Sequence, residues 1–302
     1  MKILITDGIS ETGAKLLQDA GHEVVQQKMS PEELLQQIGE YDAILVRSAT
    51  KVRQDAIDAG AKLKVIGRGG VGLDNIDVAY AKSKGIQVVN TPGASSVSVA
   101  ELAIAHMFAA SRFVGISNVE MRKGEWPKKA FSKGIELTGK TLGLFGFGNI
   151  GRETAKRALG LGMRVVATDP FVKETDMDVT LVGKDEVLSQ ADYISLHIPF
   201  IKDEGPTIGA AEFAKMKDGV VLVNCARGGV VVEKDLVDAL NSGKVRSAGV
   251  DVFENEPVTE AQTELVNHPA VSVTPHIGAS TVEGQGRVGV EIAERVIEAL
   301  KS

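Results

Sequence analysis

Leu142-Gly143-Leu144-Phe145 runs directly into Gly146-Phe147-Gly148-Asn149-Ile150-Gly151, and residues 152–161 continue with helical periodicity. An apolar run, a Gly-x-Gly-x-x-Gly turn and a helix, in that order, form a dinucleotide-binding fingerprint. The next apolar run, 164–168, ends at Asp169, 18 positions past Gly151. Each part has a physical task. Gly146 permits the tight turn, Gly148 lets the backbone approach a pyrophosphate, and Gly151 lets helix and strand pack closely. The amides and positive helix end around Asn149 and Ile150 are suited to the pyrophosphate itself. Asp169 is placed to accept hydrogen bonds from the adenosine ribose hydroxyls. Its charge repels a 2′-phosphate, which favours NAD over NADP.

Working outward, apolar runs at 141–145, 164–168, 193–196, 220–223, 247–250 and 271–273 predict the six strands of a complete doubly wound fold. Upstream, residues 3–5, 24–25, 43–46, 63–66 and 86–89 alternate with helical stretches in the same way. Ser10 is set to cap a first helix. Ser30-Pro31-Glu32-Glu33 combines a cap, a first-turn proline and first-turn acids. Strand–helix–strand units joined by short turns require parallel sheets with helices on both faces. The expected fold is therefore α/β, with two doubly wound, Rossmann-like domains. Asn90-Thr91-Pro92-Gly93 marks a break before one long helical segment expected over 97–121. A last amphipathic helix, 288–300, lies beyond the sixth strand. A return of this helix to the first block would make that domain discontinuous, 1–95 with 283–302, and leave 96–282 as the NAD-binding domain; the substrate-binding role of the first follows only from the family resemblance given below.

Composition bounds the function. The chain of 302 residues is 43% hydrophobic and 25% charged, which excludes a disordered or fibrous protein. A net charge of −6 argues against a nucleic-acid partner. One cysteine allows no internal disulfide and points to a reducing, cytoplasmic setting. His106 and Arg112 interrupt the most apolar stretch, so no membrane span is expected. No metal-ligating cluster is read.

Three segments follow consecutive strands of the second half: Asn224-Cys-Ala-Arg-Gly-Gly229, Asp251-Val-Phe-Glu-Asn-Glu-Pro257 and Pro275-His-Ile-Gly-Ala-Ser280. Each lies past the carboxyl end of a parallel strand, the edge at which such sheets bind ligands. Arg227 suits a substrate carboxylate through paired hydrogen bonds. Histidine as a residue type titrates near neutrality, so His276 suits exchange of a hydroxyl proton. Glu256 beside it would stabilise the imidazolium. Singly, each has an ordinary structural reading as an ion pair, a satisfied histidine or a solvated acid; together at neighbouring strand ends they read as a catalytic set.

These motifs, with Pro275-His-Ile-Gly-Ala-Ser-Thr281 and the Gly146–Gly151 fingerprint, resemble the D-isomer-specific 2-hydroxyacid dehydrogenases along essentially the whole chain. The resemblance implies an active site in the cleft between the domains, with Arg227 binding substrate, His276 as acid/base and Glu256 paired to it. It implies cofactor contacts at Cys225, Asp251 and Gly278. Val46-Arg-Ser-Ala-Thr-Lys-Val52 and Gly67-Arg-Gly-Gly-Val-Gly-Leu-Asp-Asn75 resemble the substrate loops of members acting on D-3-phosphoglycerate, at the first step of serine synthesis. Substrate contacts are then expected from Arg47, Ser48 and Arg68, with the amides of Gly69 and Gly70 holding the substrate carboxylate. Alternatives are reduction of an unphosphorylated acid such as glyoxylate or hydroxypyruvate, or an NAD(H)-sensing co-repressor role. A homodimer is expected through the helical segment around His106, and Lys128 or Lys129 is a candidate to reach a neighbour's site. With the sequence ending at Ser302, serine feedback through a regulatory domain is not expected. The stretch 199–206 departs from the threonine-rich sequence usual in the family.

Overall fold

The computed structural model describes residues 1–301. It separates into two units, Met1–Ser96 with Ala279–Ser302 and Val97–Gly278. In the first unit β1 (Lys2–Ile5), β2 (Glu23–Gln26), β3 (Ala43–Val46), β4 (Val65–Arg68) and β5 (Gln87–Asn90) form one parallel sheet in the order β2-β1-β3-β4-β5. The direction of winding reverses between β1 and β3, the position at which such sheets open a ligand crevice at their carboxyl edge. Every residue of β3 is buried, as a central strand covered on both faces requires.

Local chemistry sets the helix starts of this unit. Ser30 Oγ accepts from the Glu33 amide at 3.2 Å while the Glu33 carboxylate accepts from the Ser30 amide at 2.7 Å, a reciprocal box with Pro31 in the first turn. The last helix, Val282–Ala299, packs on the helix Glu11–Asp19. Gly13 and Gly289 meet there so closely that a Cβ on Gly13 would overlap the Gly289 carbonyl oxygen. That backbone contact and a core of Ile3, Ile5, Leu45, Ile292 and Val296 tie the end of the chain to its beginning.

The second unit holds seven parallel strands: β6 (Thr141–Phe145), β7 (Arg164–Thr168), β8 (Thr180–Leu181), β9 (Tyr193–Leu196), β10 (Val220–Asn224), β11 (Val245–Val250) and β12 (Val271–Val273). Their order is β12-β11-β10-β9-β6-β7-β8, with reversal between β6 and β9. Sequence periodicity predicts six of these. The seventh, β8, has only two residues and exists because Thr180 and Leu181 pair with Val166 and Ala167 at the sheet edge. Such a short run carries no periodic signal.

The helix expected over 97–121 is two helices, Ser96–Arg112 and Val114–Arg122, bent by 64°. Phe113 between them is left-handed at φ 58°, which ends one helix and redirects the next. Ala100, Ala103 and Met107 are fully buried, so the apolar character of the first helix reflects core packing. No single described helix is long and apolar enough to cross a membrane.

Candidate active site

At the reversal between β6 and β9, the His197 amide donates to the Phe145 carbonyl at 2.7 Å. Gly146, at φ 89°, turns the chain there, and a Cβ on it would overlap the His197 carbonyl oxygen. A Cβ on Gly151 would overlap the Gly146 carbonyl oxygen, so the helix Asn149–Gly160 starts hard against the turn. Gly148 differs from both. Nothing lies within 4 Å of its would-be Cβ, and Gly148 and Asn149 are exposed. The loop is thus closed toward protein and open at Gly148, as a pyrophosphate cradle at a helix N-terminus must be. Ile150 is half-buried in the first turn of that helix.

Asp169, at the end of β7, accepts from the Phe147 amide at 2.8 Å, the Phe171 amide at 2.8 Å and the Val172 amide at 3.2 Å. Burial by itself would raise its pKa, but these donors outweigh it and hold the carboxyl below the usual carboxylate range. A charged acceptor therefore sits directly beside the glycine loop. The residues fit a dinucleotide whose ribose hydroxyls face an ionised carboxylate.

The loops after β10, β11 and β12 lock together. The Asn224 side chain staples the first: its amide nitrogen donates to the Arg227 carbonyl at 3.1 Å, and its oxygen accepts from the Ala226 amide at 3.0 Å. Gly228 lies against the loop that follows β11, where a Cβ would overlap the Phe253 carbonyl oxygen. Arg227 is half-buried, and its Nη1 donates to the Ala226 carbonyl at 2.6 Å. Cys225 is buried, and burial pushes its thiol pKa up, which suits an inert packing residue rather than a nucleophile.

Glu256 Oε2 lies 2.6 Å from His276 Nδ1, and Glu256 Oε1 accepts from the Phe253 amide at 3.1 Å. Burial by itself would raise the Glu256 carboxyl. The hydrogen bond from His276, the Phe253 amide and the nearby Arg227 charge outweigh it and hold Glu256 low. An ionised Glu256 can only accept, so His276 Nδ1 carries the proton of this hydrogen bond. Arg227, Glu256 and His276 thus form one electrostatic set, assembled from three loops.

Asp251 shows a role that its sequence position did not reveal. It is 1% exposed, and its oxygens accept from Thr274 Oγ1 at 2.5 Å, the Ile277 amide at 2.8 Å and the Gly278 amide at 2.9 Å. Its carbonyl accepts from the His276 amide at 2.8 Å. His276 itself is left-handed at φ 52°, a conformation that an ordinary side chain adopts only when its surroundings impose it. Asp251 supplies that constraint from beneath the loop.

In the first unit Asp7 accepts from the Arg47 amide at 2.7 Å and from Thr50 Oγ1 at 2.7 Å, and Asn75 donates to the Arg47 and Thr50 carbonyls. The loop carrying Arg47 and exposed Ser48 is therefore rigid at its base. Arg47 Cγ borders Gly69, and the Arg68 guanidinium folds over Gly70. One expectation is corrected here. The Gly69 amide donates to the Val46 carbonyl and the Gly70 amide to the Arg68 carbonyl, both at 2.9 Å. Those amides continue the sheet register and close a tight turn, so they are not offered to a substrate carboxylate.

Residues 104–278 match the family profile described as D-isomer specific 2-hydroxyacid dehydrogenase, NAD binding domain. The chain is 49% identical, over 99% of its length and 98% of the relative's, to a protein named hydroxypyruvate reductase from Thermotoga maritima. The chain belongs to the D-isomer-specific 2-hydroxyacid dehydrogenase family. It is also 46% identical over its whole length to a D-3-phosphoglycerate dehydrogenase from Methanocaldococcus jannaschii, of which it spans 58%. Among solved structures, a glyoxylate reductase from Paecilomyes thermophila superposes with a TM-score of 0.91 at 34% identity, covering 100% of this chain and 96% of that one. As a member of this family the chain is an NAD-dependent 2-hydroxyacid dehydrogenase, and the Gly146–Gly151 loop with Asp169 belongs to its NAD-binding domain.

Two contributions escaped the sequence reading. His197 supplies the carbonyl against which Gly146 turns, although nothing in its neighbourhood marks it. Thr274 bonds Asp251 from a position that reads only as the end of a strand.

Proposed function

We propose that this dehydrogenase interconverts D-3-phosphoglycerate and 3-phosphohydroxypyruvate with NAD. The observation that carries this reading is the pair of arginines at the carboxyl edge of the first sheet. Arg47 and Arg68 border the same Gly69–Gly70 segment, one on each residue. Two arginines at the carboxyl ends of adjacent strands suit a dianionic phosphate far better than an uncharged hydroxymethyl group. Sequence similarity to D-3-phosphoglycerate dehydrogenases supports the same substrate.

NAD, when bound, supplies the hydride acceptor. Arg227 engages the substrate carboxylate and steadies negative charge on the C2 oxygen. His276 Nε2 takes the C2 hydroxyl proton as the C2 hydride departs, and returns it in the reverse direction. Glu256 fixes the ring orientation and stabilises the imidazolium formed. Ser48 adds a hydroxyl donor beside Arg47. Cys225, Asp251 and Gly278 line the nicotinamide side of this set, with Asp251 holding the loop that carries Gly278. The reaction places the enzyme at the entry to serine synthesis in the cytoplasm. It works as a homodimer: Phe108, Val114, Val119, Met121 and Trp126 are all exposed, the last at 77%, and large exposed apolar side chains of this kind suit burial against a second copy. Lys128 and Lys129, also exposed, follow these residues in sequence and are the side chains assigned to reach the neighbouring copy's site.

A second reading, reduction of hydroxypyruvate or glyoxylate, is favoured by the Thermotoga maritima relative that matches along nearly its full length. A substrate panel decides between them. The kcat/KM of D-3-phosphoglycerate with NAD, and of 3-phosphohydroxypyruvate, hydroxypyruvate and glyoxylate with NADH, are measured side by side. A preference of ~100-fold for the phosphorylated keto acid over hydroxypyruvate is expected from the lost arginine contacts. The opposite order would transfer the assignment to the second reading.

A further inference from the structure

His106 lies on the helix Ser96–Arg112, remote in sequence from every motif above, and is 2% exposed. Both ring nitrogens are engaged. Nδ1 is 3.0 Å from Ser272 Oγ, and Nε2 is 3.0 Å from Thr274 Oγ1. Proton bookkeeping fixes the direction of each bond. Thr274 has one hydroxyl proton, which it donates to the Asp251 carboxylate, so its oxygen is left only to accept from His106. Nε2 therefore carries the proton. Burial lowers the His106 pKa, with the Asp251 charge opposing it, so the ring is neutral and Nδ1 accepts from the Ser272 hydroxyl.

The result is a one-way chain of hydrogen bonds, Ser272 to His106 to Thr274 to Asp251. It ends on the carboxylate that holds the Ile277 and Gly278 amides. No slack exists at its base, because a Cβ on Gly249 of β11 would overlap the His106 Cβ. A directed donor chain of this length, with His106 and Asp251 both buried, exceeds what packing alone requires of a helix–sheet contact.

We infer that His106 is a positioning residue for the hydride-transfer reaction: by donating to Thr274 it fixes the Asp251 carboxylate and, through it, the left-handed backbone at His276. This rests on the acid/base role proposed for His276. Met occupies similar volume without donors, and Gln keeps a donor near the Nε2 position.

The test compares H106M, H106Q and H276N in the full chain, using NADH with whichever of 3-phosphohydroxypyruvate and hydroxypyruvate turns over faster. Backbone amide exchange over 274–280 is followed in parallel without cofactor. H106M is expected to lower kcat about tenfold, with the KM for NADH within twofold, and to speed exchange at Ile277 and Gly278 at least tenfold. H106Q is expected to recover kcat to within about threefold of the parent. Unchanged exchange and kcat in H106M would overturn the inference, as would an equal loss in H106Q, which would show that ring shape rather than donation matters. If H106M does not fold, T274V against T274S poses the same question from the next link, with loss expected only in T274V; equal behaviour of those two would also overturn it. Full turnover in H276N would instead sink the acid/base reading, while the exchange data still judge the link from His106 to the loop.

Discussion

Glu256 and His276 stand 2.6 Å apart, carboxylate oxygen to ring nitrogen, on loops that leave two adjacent strands. The contact assigns the proton to Nδ1, and the proposed function makes Nε2 the nitrogen that exchanges the substrate proton. Replacing His276 by Asn removes the proton acceptor while keeping a small polar group on a residue type that tolerates the left-handed backbone. A fall in kcat of about 10²–10⁴-fold is expected, with the Kd for NADH within twofold by fluorescence titration. Turnover near the parent value would show that another group moves the proton.

Asp169 carries two jobs at once. It receives the Phe147 amide of the glycine loop, its pKa is held low, and the proposed NAD site sets the adenosine ribose beside it. In Asp169→Ala the lost charged acceptor corresponds to about 1.5–3 kcal/mol, or ~10–100-fold weaker NAD binding. NADP, freed from charge repulsion, is expected to lose much less. Calorimetric titration with both cofactors checks this, and an unchanged ratio of the two affinities would mean that the carboxylate serves only to hold the turn.

How far these features were legible depends on sequence distance. The fingerprint at 146–151 is readable because its strand, turn and helix are contiguous. Arg227, Glu256 and His276 are readable because each follows an apolar run that names its strand. The support beneath them is not readable. His106 meets Ser272 and Thr274 across separations of 166 and 168 residues, which no local pattern encodes. The bend at Phe113 is hidden for a different reason: a bulky residue in left-handed geometry is a product of tertiary packing, not of propensity. The misassigned amides of Gly69 and Gly70 show the converse, since a glycine-rich turn looks like an anion nest until its own sheet claims the donors.

Under the proposed function, Arg68 is the residue that separates the candidate substrates. Its guanidinium lies over Gly70, within the unit that carries Arg47. Arg68→Gln keeps length and polarity but removes the charge. The KM for 3-phosphohydroxypyruvate is expected to rise ~10–100-fold, the worth of a charge-assisted contact, while the KM for hydroxypyruvate changes less than threefold. Equal changes for both would place Arg68 outside the phosphate contact.

His197 makes stability depend on pH. Burial drives its ring pKa down from 6.5 to about 4, and its Nδ1 has no partner and no solvent. In the unfolded chain the ring binds a proton near pH 6.5, in the folded chain only near 4. Between those values the unfolded state holds more protons, so stability is complete above about pH 6.5 and declines as pH falls toward 4. The full effect is on the order of 3 kcal/mol. Tm measured from pH 7.5 to 4.5 should drop more steeply in the parent than in His197→Gln, whose amide does not titrate. Parallel slopes would show that the ring finds a proton-accepting partner on protonation.

The tightest constraint on the proposed catalytic set is backbone against backbone. Gly228 follows Arg227 directly, and a Cβ there would strike the Phe253 carbonyl oxygen, on the same loop whose Phe253 amide bonds Glu256. No rotamer change relieves a clash with a main-chain atom, so Gly228→Ala must push the Arg227 loop away from the Glu256 loop. Overpacking of this kind costs about 1–3 kcal/mol, a drop in Tm of roughly 3–10 °C for a unit of this size. Activity should suffer beyond that loss, because the displacement acts on the distance between the guanidinium and the carboxylate. At a temperature where the variant is fully folded, kcat is expected at least tenfold down while NADH affinity holds within threefold. A variant with lowered Tm and intact kcat would show that the two loops need not be in register for catalysis.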